Sequence, residues 1–591
     1  MMEPPIAERR PYKVSIGNVA NENRGTNIDK LIDPVIFHDD DLYWLRDDSR
    51  ENEEILSLLR KENEYYEYKT NHLKDSIDKL YIEIKSRILE SDNTIPYKKG
   101  NYYYYTKTIE GSSYPYHCRC LYNSITKSLD NNHMIYLDEN EIADNHEMCD
   151  IHQVNISNDH NIVAYSVDFS GSEEYDIAFK NLLTNEMFND KISNTNGVIV
   201  WNKESTSIFY CTLDEHHRPF RVFKHSLGTD TSHDICIFEE LDEKSWIHIT
   251  SSNSDDYLII RSSTKLTSFV CLHPLSERAL RIAEKSDANM SILTSPLHIK
   301  RKSNENIKDN NNNDNNNNNE IPLIRLLNLP KVENVLYEVD HYRNNEDDDN
   351  DIFLILTNAN DAKNFKICWC FSTNANISEW RDIIPSSQYI YFTGIEVHST
   401  YIAISGSENG YQNIWVAKTN DLLENIKSYS DISKKLDLYR IPARDEVFVL
   451  NIDVNNEYET NSLRFTYSSP ICPDMVCELQ LIENVNSIFK IDIDYIIDRD
   501  NAWKIDVLKQ RQVPNINLND YETARLMAPT DDGNLIPISI LYRKSALKLR
   551  EATSNILEAS PFEPAPLLLS AIHISRHFSG ALSGRKVLSD L

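Results

Sequence analysis

The chain has 591 residues, 61 of them basic and 92 acidic, for a formal net charge of -31, with 40% hydrophobic and 26% charged residues. That length and composition allow two to four domains of roughly 150 residues with a sizeable core. The acidic balance argues against nucleic acid, which needs a basic face to neutralise phosphates.

Met1 to Gly17 carries charges and prolines but no apolar h-region, and no stretch approaches the ~20 apolar residues of a membrane span. A secretory signal and a membrane contact are therefore disfavoured, and a cytoplasmic protein is expected. An acidic surface attracts basic peptides, although the same charge also reads as a plain solvated surface, part of it concentrated in Asn344 to Asp351. The ten cysteines form no dense framework. Cys118/Cys120 and Cys368/Cys370 are spaced so that each pair shares one face of a strand, and neither has the spacing of a zinc site. Reduced, buried thiols are expected, with no metal and no cofactor.

Residues 1 to about 40 are polar and irregular. From Asp47 to Leu89, Ile55, Leu58, Leu59, Tyr65 and Tyr66, then Leu73, Ile77, Leu80, Tyr81 and Ile84, recur at helical spacing, which predicts helices over roughly 51–70 and 71–89. After Pro96 the texture is strand-like for about 400 residues. Short apolar runs such as Tyr102–Tyr105, Ile162–Val167, Tyr257–Ile260, Ile352–Leu356, Tyr401–Ile404 and Leu463–Tyr467 alternate with Asn, Asp, Ser and Lys clusters, and no comparable helix interrupts them. That length exceeds one sandwich and fits a propeller of seven four-stranded blades of roughly 60 residues each. No Trp-Asp or Gly-Gly signature recurs. With only 13 glycines, turns that need positive φ fall largely to Asn and Asp.

Ser303 to Glu320 is an Asn-rich run that cannot bury apolar surface, and it is expected to be a disordered insert. From Tyr521 a new unit begins. Thr523–Ala528 and Ile536–Tyr542 are strand-like, and Asp531-Asp532-Gly533-Asn534 between them signals a hairpin turn. A helix-prone stretch, Ser545–Leu557, precedes the apolar strand Pro564–Leu569, after which the chain changes character.

Several segments carry a specific resemblance. In chain order they are Pro4–Pro11 (PPIAERRP), Asp40–Asp48 (DDLYWLRDD), Gly111–Arg119 (GSSYPYHCR), and Ala164–Asp168 through Gly171, Glu174 and Tyr175. Leu213–Glu215 through Arg218 and Pro219 to His225–Asp230 follows. Leu463–Ser469 (LRFTYSS) comes next, and then Leu508–Gln510 to Pro514 with Pro537–Lys544 (PISILYRK). In this order and spacing the chain resembles the prolyl oligopeptidase family of serine peptidases, and most closely its oligopeptidase B branch. The resemblance implies a mainly β chain in four parts. An N-terminal helical arm, residues 1–90, packs on the hydrolase domain. A seven-bladed propeller covers 91–515, the first strands of an α/β-hydrolase domain cover 516–569, and 570–591 is a divergent tail. It further implies a propeller that caps the active site and admits short peptides, cut after Arg or Lys in oligopeptidase B. Proline specificity stays open, because the pocket that would decide it is not in this sequence. Trp44 and Leu45 are expected to be core anchors, and Arg46, flanked by Asp47 and Asp48, a local ion pair.

The family's Ser-His-Asp triad needs a serine on a sharp strand-to-helix elbow, typically Gly-x-Ser-x-Gly. No such elbow occurs. Gly171-Ser172 and Ser405-Gly406-Ser407 lie in the propeller with the wrong spacing, and Gly580-Ala581-Leu582-Ser583-Gly584 puts serine fourth. His573 and His577 sit at i, i+4 without the Glu of a zinc motif. No catalytic residue is therefore assigned, and an inactive form lacking the triad is expected, 570–591 being the scar of a truncation. The alternative is a non-catalytic propeller that binds peptides or serves as a scaffold.

Overall fold

Alternation of apolar and polar residues resolves into antiparallel ladders in the computed structural model, which describes residues 2–16, 36–123, 128–129, 133–285, 290–293, 324–345, 350–427, 436, 438–481, 503–533, 535–545 and 568–570. The chain divides into two units, 1–89 with 514–516, and 90–513 with 517–591.

In the first unit the helix Glu53–Thr70 starts where the Asn52 side chain accepts the Glu54 amide, with Glu53 and Glu54 in the first turn and Lys69 in the last. Cap and charges suit the helix dipole. A 3-10 turn, Asn71–Leu73, leads into a second helix, Lys74–Lys85. Of these helical residues only Ile55 is buried, while Ile77, Leu80, Tyr81 and Ile82 are exposed. Trp44 and Leu45 are half-buried, not the core anchors expected. The Trp44 indole donates to the Glu8 carbonyl at 2.9 Å, and Arg10 lies 4.0 Å from its ring centroid. Arg46 pairs with Asp48 at 3.1 Å on the surface, while Asp47 accepts the Asn52 amide at 2.8 Å.

In the second unit the expected seven blades are overturned: the propeller arrangement has five. Five sheets of seven, five, four, four and four strands follow one another. One blade of the difference lies in Met187–Trp201, a continuous 15-residue strand. It pairs with Tyr175–Asn181 on one side and Ser207–Leu213 on the other, and so fuses into one seven-stranded sheet what the spacing divides in two. Ahead of these, Asp92–Asp138 forms a six-stranded sheet with two strands off its main path. Among the described residues only shorter helices interrupt the strands. Glu139–Ala143, Glu277–Lys285 and Thr419–Lys427 are helical. Glu277–Lys285 buries Ala279, Ile282 and Ala283, an i, i+3, i+4 stripe too short to stand out from the flanking strands.

Core clusters fill the spaces between successive sheets. Leu258 and Ile260 from one face of Tyr257–Ser263 join Phe209 and Val222, while Tyr257 and Ile259 from the other face join Phe353 and Cys370. All ten cysteines are free and buried. Among the described residues fifteen non-glycine residues have positive φ, and nine of these are Asn or Asp, as the glycine shortage requires. The hairpin pairs Tyr521–Pro529 with Leu535–Arg543, Gly533 taking φ 82° in its turn, and Leu568–Ser570 adds a third strand. The Asn-rich tract, the stretch Ser545–Leu557 beyond Ser545, and the tail after Ser570 lie outside the described residues.

Candidate functional site

The strand Trp246–Ser251 alternates exposed and buried residues. Ile247 and Ile249 enter the core, which turns Trp246, His248 and Thr250 to the opposite face. That face borders two cavities. The first, about 330 Å³, is lined by Lys99, Asn155, Trp201, Lys203, His248 and Asp255 among others. The second, about 270 Å³, is lined by His248, Arg261, Glu338, Asp340, Glu396 and their neighbours. His248, Thr250 and Ser251 border both.

The surrounding turns hold one another. The Lys99 ammonium donates to the Ile156 carbonyl at 2.7 Å, and Asn158 reaches the Asn202 carbonyl at 3.2 Å. Arg343 donates to Asp256 at 2.9 Å and to the Ser254 carbonyl at 3.0 Å. Asp340 accepts the Val397 amide at 2.7 Å, and the Ser399 amide donates to the Tyr458 carbonyl at 3.0 Å. Glu457 closes the succession back to the first sheet. It accepts the Gly100 amide at 2.8 Å and Lys98 at 3.1 Å. Two further cross-links join the same sheets, Arg464 to the Pro96 carbonyl at 2.9 Å and Lys509 to Asp92 at 2.5 Å.

Burial sets the electrostatics. Burial depresses the Lys99 ammonium, against the pull of Asp255 and Glu457. The Asp255 carboxyl is pushed up by burial, with Lys99 and Lys203 drawing it back. His248 is held below its ordinary value by burial and by Arg261. Asp340 is pushed up by burial to about 6, although backbone amides of His341 and Val397 stabilise its charge. Arg261 and Glu338 form an ion pair.

One constellation escaped the motif search. The Ser254 hydroxyl lies 2.6 Å from His341 Nδ1, and His341 Nε2 lies 3.0 Å from Asp351, a close approach at a poor hydrogen-bond angle. This has the composition of a nucleophilic triad but not its setting. All three residues are buried, Arg278 occupies the Asp351 carboxylate at 2.6 Å, and Ser254 borders neither cavity. The group joins successive blades. Ser254 lies 87 residues from His341 in sequence, so no local pattern could reveal the group.

The serines examined by motif fall elsewhere. Ser405-Gly406-Ser407 lies within the strand Tyr401–Glu408, not on an elbow. Gly406 is needed there because a Cβ would come within 2.6 Å of the Tyr391 carbonyl oxygen. Gly171-Ser172 sits in a turn ordered by Asp168, which accepts the Gly171 amide at 3.2 Å. His573, His577 and Ser583 lie outside the described residues. Among the described residues no group of three His, Cys, Asp or Glu side chains could hold a metal ion, and no helix is long and apolar enough to cross a membrane.

Comparison with known proteins gives a consistent result. The family described as prolyl oligopeptidase, N-terminal beta-propeller domain, matches residues 21–491. Dipeptidyl aminopeptidase BI of Pseudoxanthomonas mexicana is 24% identical over 557 residues, covering 92% of this chain and 63% of that protein. Protease 2 of Moraxella lacunata is 27% identical over 449 residues, covering 75% of this chain and 54% of that one. The structure of oligopeptidase B from Leishmania major superimposes with a TM-score of 0.71 at 25% identity, over 92% of this chain and 66% of that one. The chain thus spans between half and two thirds of the length of these relatives.

Proposed function

The chain belongs to the prolyl oligopeptidase family, and from that premise we propose that it forms the substrate gate of a serine-type oligopeptidase that hydrolyses short peptides after Arg or Lys. The likeness to oligopeptidase B over nearly the whole chain carries this reading. The acidic net charge of -31 agrees with a basic substrate. A cytoplasmic location goes with it, supported by ten buried free cysteines.

In this reading these residues select peptides and do not cut them. No Gly-x-Ser-x-Gly elbow occurs in the sequence, and the Ser254, His341 and Asp351 group is sealed from both cavities. The N-terminal helices pack on a hydrolase domain. The test is an assay of the purified 591-residue chain with a fluorogenic dibasic peptide, a proline peptide as control, and a fluorophosphonate probe. No turnover and no labelling are expected from a folded protein. Specific labelling of any serine would overturn the assignment of gating without chemistry.

A further inference from the structure

The two cavities differ in sign. Around the first stand two lysines, Lys99 and Lys203, against one aspartate, Asp255. Around the second stands one arginine, Arg261, already paired with Glu338, against three carboxylates, Glu338, Asp340 and Glu396. Each cavity is at or just below the small end of ligand sites, which run from roughly 300 Å³ upward. They share the wall made by His248, Thr250 and Ser251. One continuous polar lining therefore runs from a net positive pole to a net negative one.

Arg261 and Glu338 neutralise one another, but Lys203 at one pole and Glu396 at the other make only loose ion pairs. Lys203 is half-exposed and its nearest carboxylate, Asp256, is 3.9 Å away, at the limit of an ion pair. Asp256 is itself committed to Arg343 at 2.9 Å. Among the described residues Glu396 has only His398 as an ion-pair partner, also at 3.9 Å. His248, on the shared wall, makes no side-chain hydrogen bond or ion pair among the described residues, and burial and Arg261 hold it below its ordinary value. Apolar lining, Ile249 and Leu275 in the first cavity and Val339 in the second, lowers the local dielectric and strengthens the charges.

We propose that the paired cavities are one binding site for a short peptide with free termini, its carboxylate held by Lys203 with Lys99 and its ammonium by Glu396 with Glu338. The polarity of the lining selects for a zwitterion: a single anion or cation satisfies one pole and is repelled by the other. The identity of the occupant as a peptide rests on the reading of the propeller as a peptide gate, but the site is independent of any hydrolytic step. It gives the gate a place where a peptide of two to four residues pauses with a defined direction, carboxylate toward Lys99.

Calorimetric titration of the purified 591-residue chain with the tripeptide Ala-Ala-Ala tests this, since binding is read without turnover. The free tripeptide is expected to bind. C-terminal amidation and N-terminal acetylation are each expected to weaken binding about tenfold. In Lys203→Met, whose side chain is half in solvent and whose loss the fold tolerates, the amidated and free peptides should bind alike, while acetylation still weakens binding. Glu396→Gln should give the converse. Thr250→Trp, checked for unchanged circular dichroism, should abolish binding by filling the shared wall. Equal affinity for free and doubly blocked tripeptide, or no binding at millimolar concentration, overturns the site. Neither result bears on fluorophosphonate labelling, so this inference and the gating reading fail separately.

Discussion

The propeller and the N-terminal helices treat the same kinds of side chain in opposite ways. Tyr257, Phe353 and Tyr401 are fully buried between sheets, whereas Ile77, Leu80, Tyr81 and Ile82 stand 53 to 65% exposed on the second helix. The hairpin sides with the helices: Leu526, Met527 and Leu535 are exposed and of its large apolar residues only Ile538 is buried. A propeller sheet finds its partner surface on the next sheet of the same chain. The helices and the hairpin display apolar faces that nothing among the described residues covers, and burying each such side chain would be worth about 1.5–3 kcal/mol. Helical and strand periodicity thus foretell the form of an element without saying whether its partner is present.

The comparison can be broken most directly in the core. Phe353→Ala should cost about 3–5 kcal/mol in urea unfolding of the propeller, and Leu80→Ala less than about 0.5 kcal/mol. A large cost at Leu80 would show that the helix face is covered in solution. A smaller effect should follow pH. The Asp340 carboxyl titrates at about 6, above its ordinary 3.8, so folding favours its neutral form. The cost of its charge is present above about pH 6 and is relieved as pH falls toward 4, up to ~3 kcal/mol. Asp340→Asn should remove that rise in propeller stability on acidification, and an unchanged pH slope would place the titration elsewhere.

Closure of the succession of turns gives a finer test. Glu457→Gln keeps the shape but weakens the bonds to Gly100 and Lys98. About 1–2 kcal/mol should be lost, with faster amide exchange over Tyr102–Thr108 and Ser462–Ser469 and none over the helices. The smallest effect is expected at the helix start. Asn52→Ala removes the cap on Glu54, and should cost about 1 kcal/mol of local helix stability, seen in circular dichroism at 222 nm, without moving the propeller transition.

What could be read from sequence follows the same division. The helices, expected over 51–70 and 71–89, occupy Glu53–Thr70 and Lys74–Lys85. Strands such as Ile162–Asp168 and Ile352–Thr357 lie where apolar runs place them, because they are buried on both faces. The strand Trp246–Ser251 leaves little trace in the sequence because its outward residues are polar or solitary aromatics, and Asp150–Ile156 likewise. One blade was miscounted because nothing in the composition of Met187–Trp201 marks where one sheet should end and the next begin. The cavities were illegible for a related reason. Lys99, Lys203, His248 and Glu338 sit on elements far apart in sequence and meet only through the order in which the sheets pack.

The cysteines have a kinetic consequence. All ten lie between Cys118 and Cys477: nine on the Asp92–Asp138 sheet and on every blade except that of Ile390–Arg440, and Cys149 just before the strand Asp150–Ile156; none lies in the helices or the hairpin. Each is buried and in no disulfide, with burial raising the thiols and suppressing their reactivity while the fold is closed. A thiol reagent therefore acts as a clock with a hand on every blade but one. Labelling at Cys118 and Cys120 times the opening of the first sheet, and labelling at Cys472 and Cys477 times the last. Their ratio tells whether the succession of blades unzips from its seam or melts as a whole, in a background to which the arm contributes no signal.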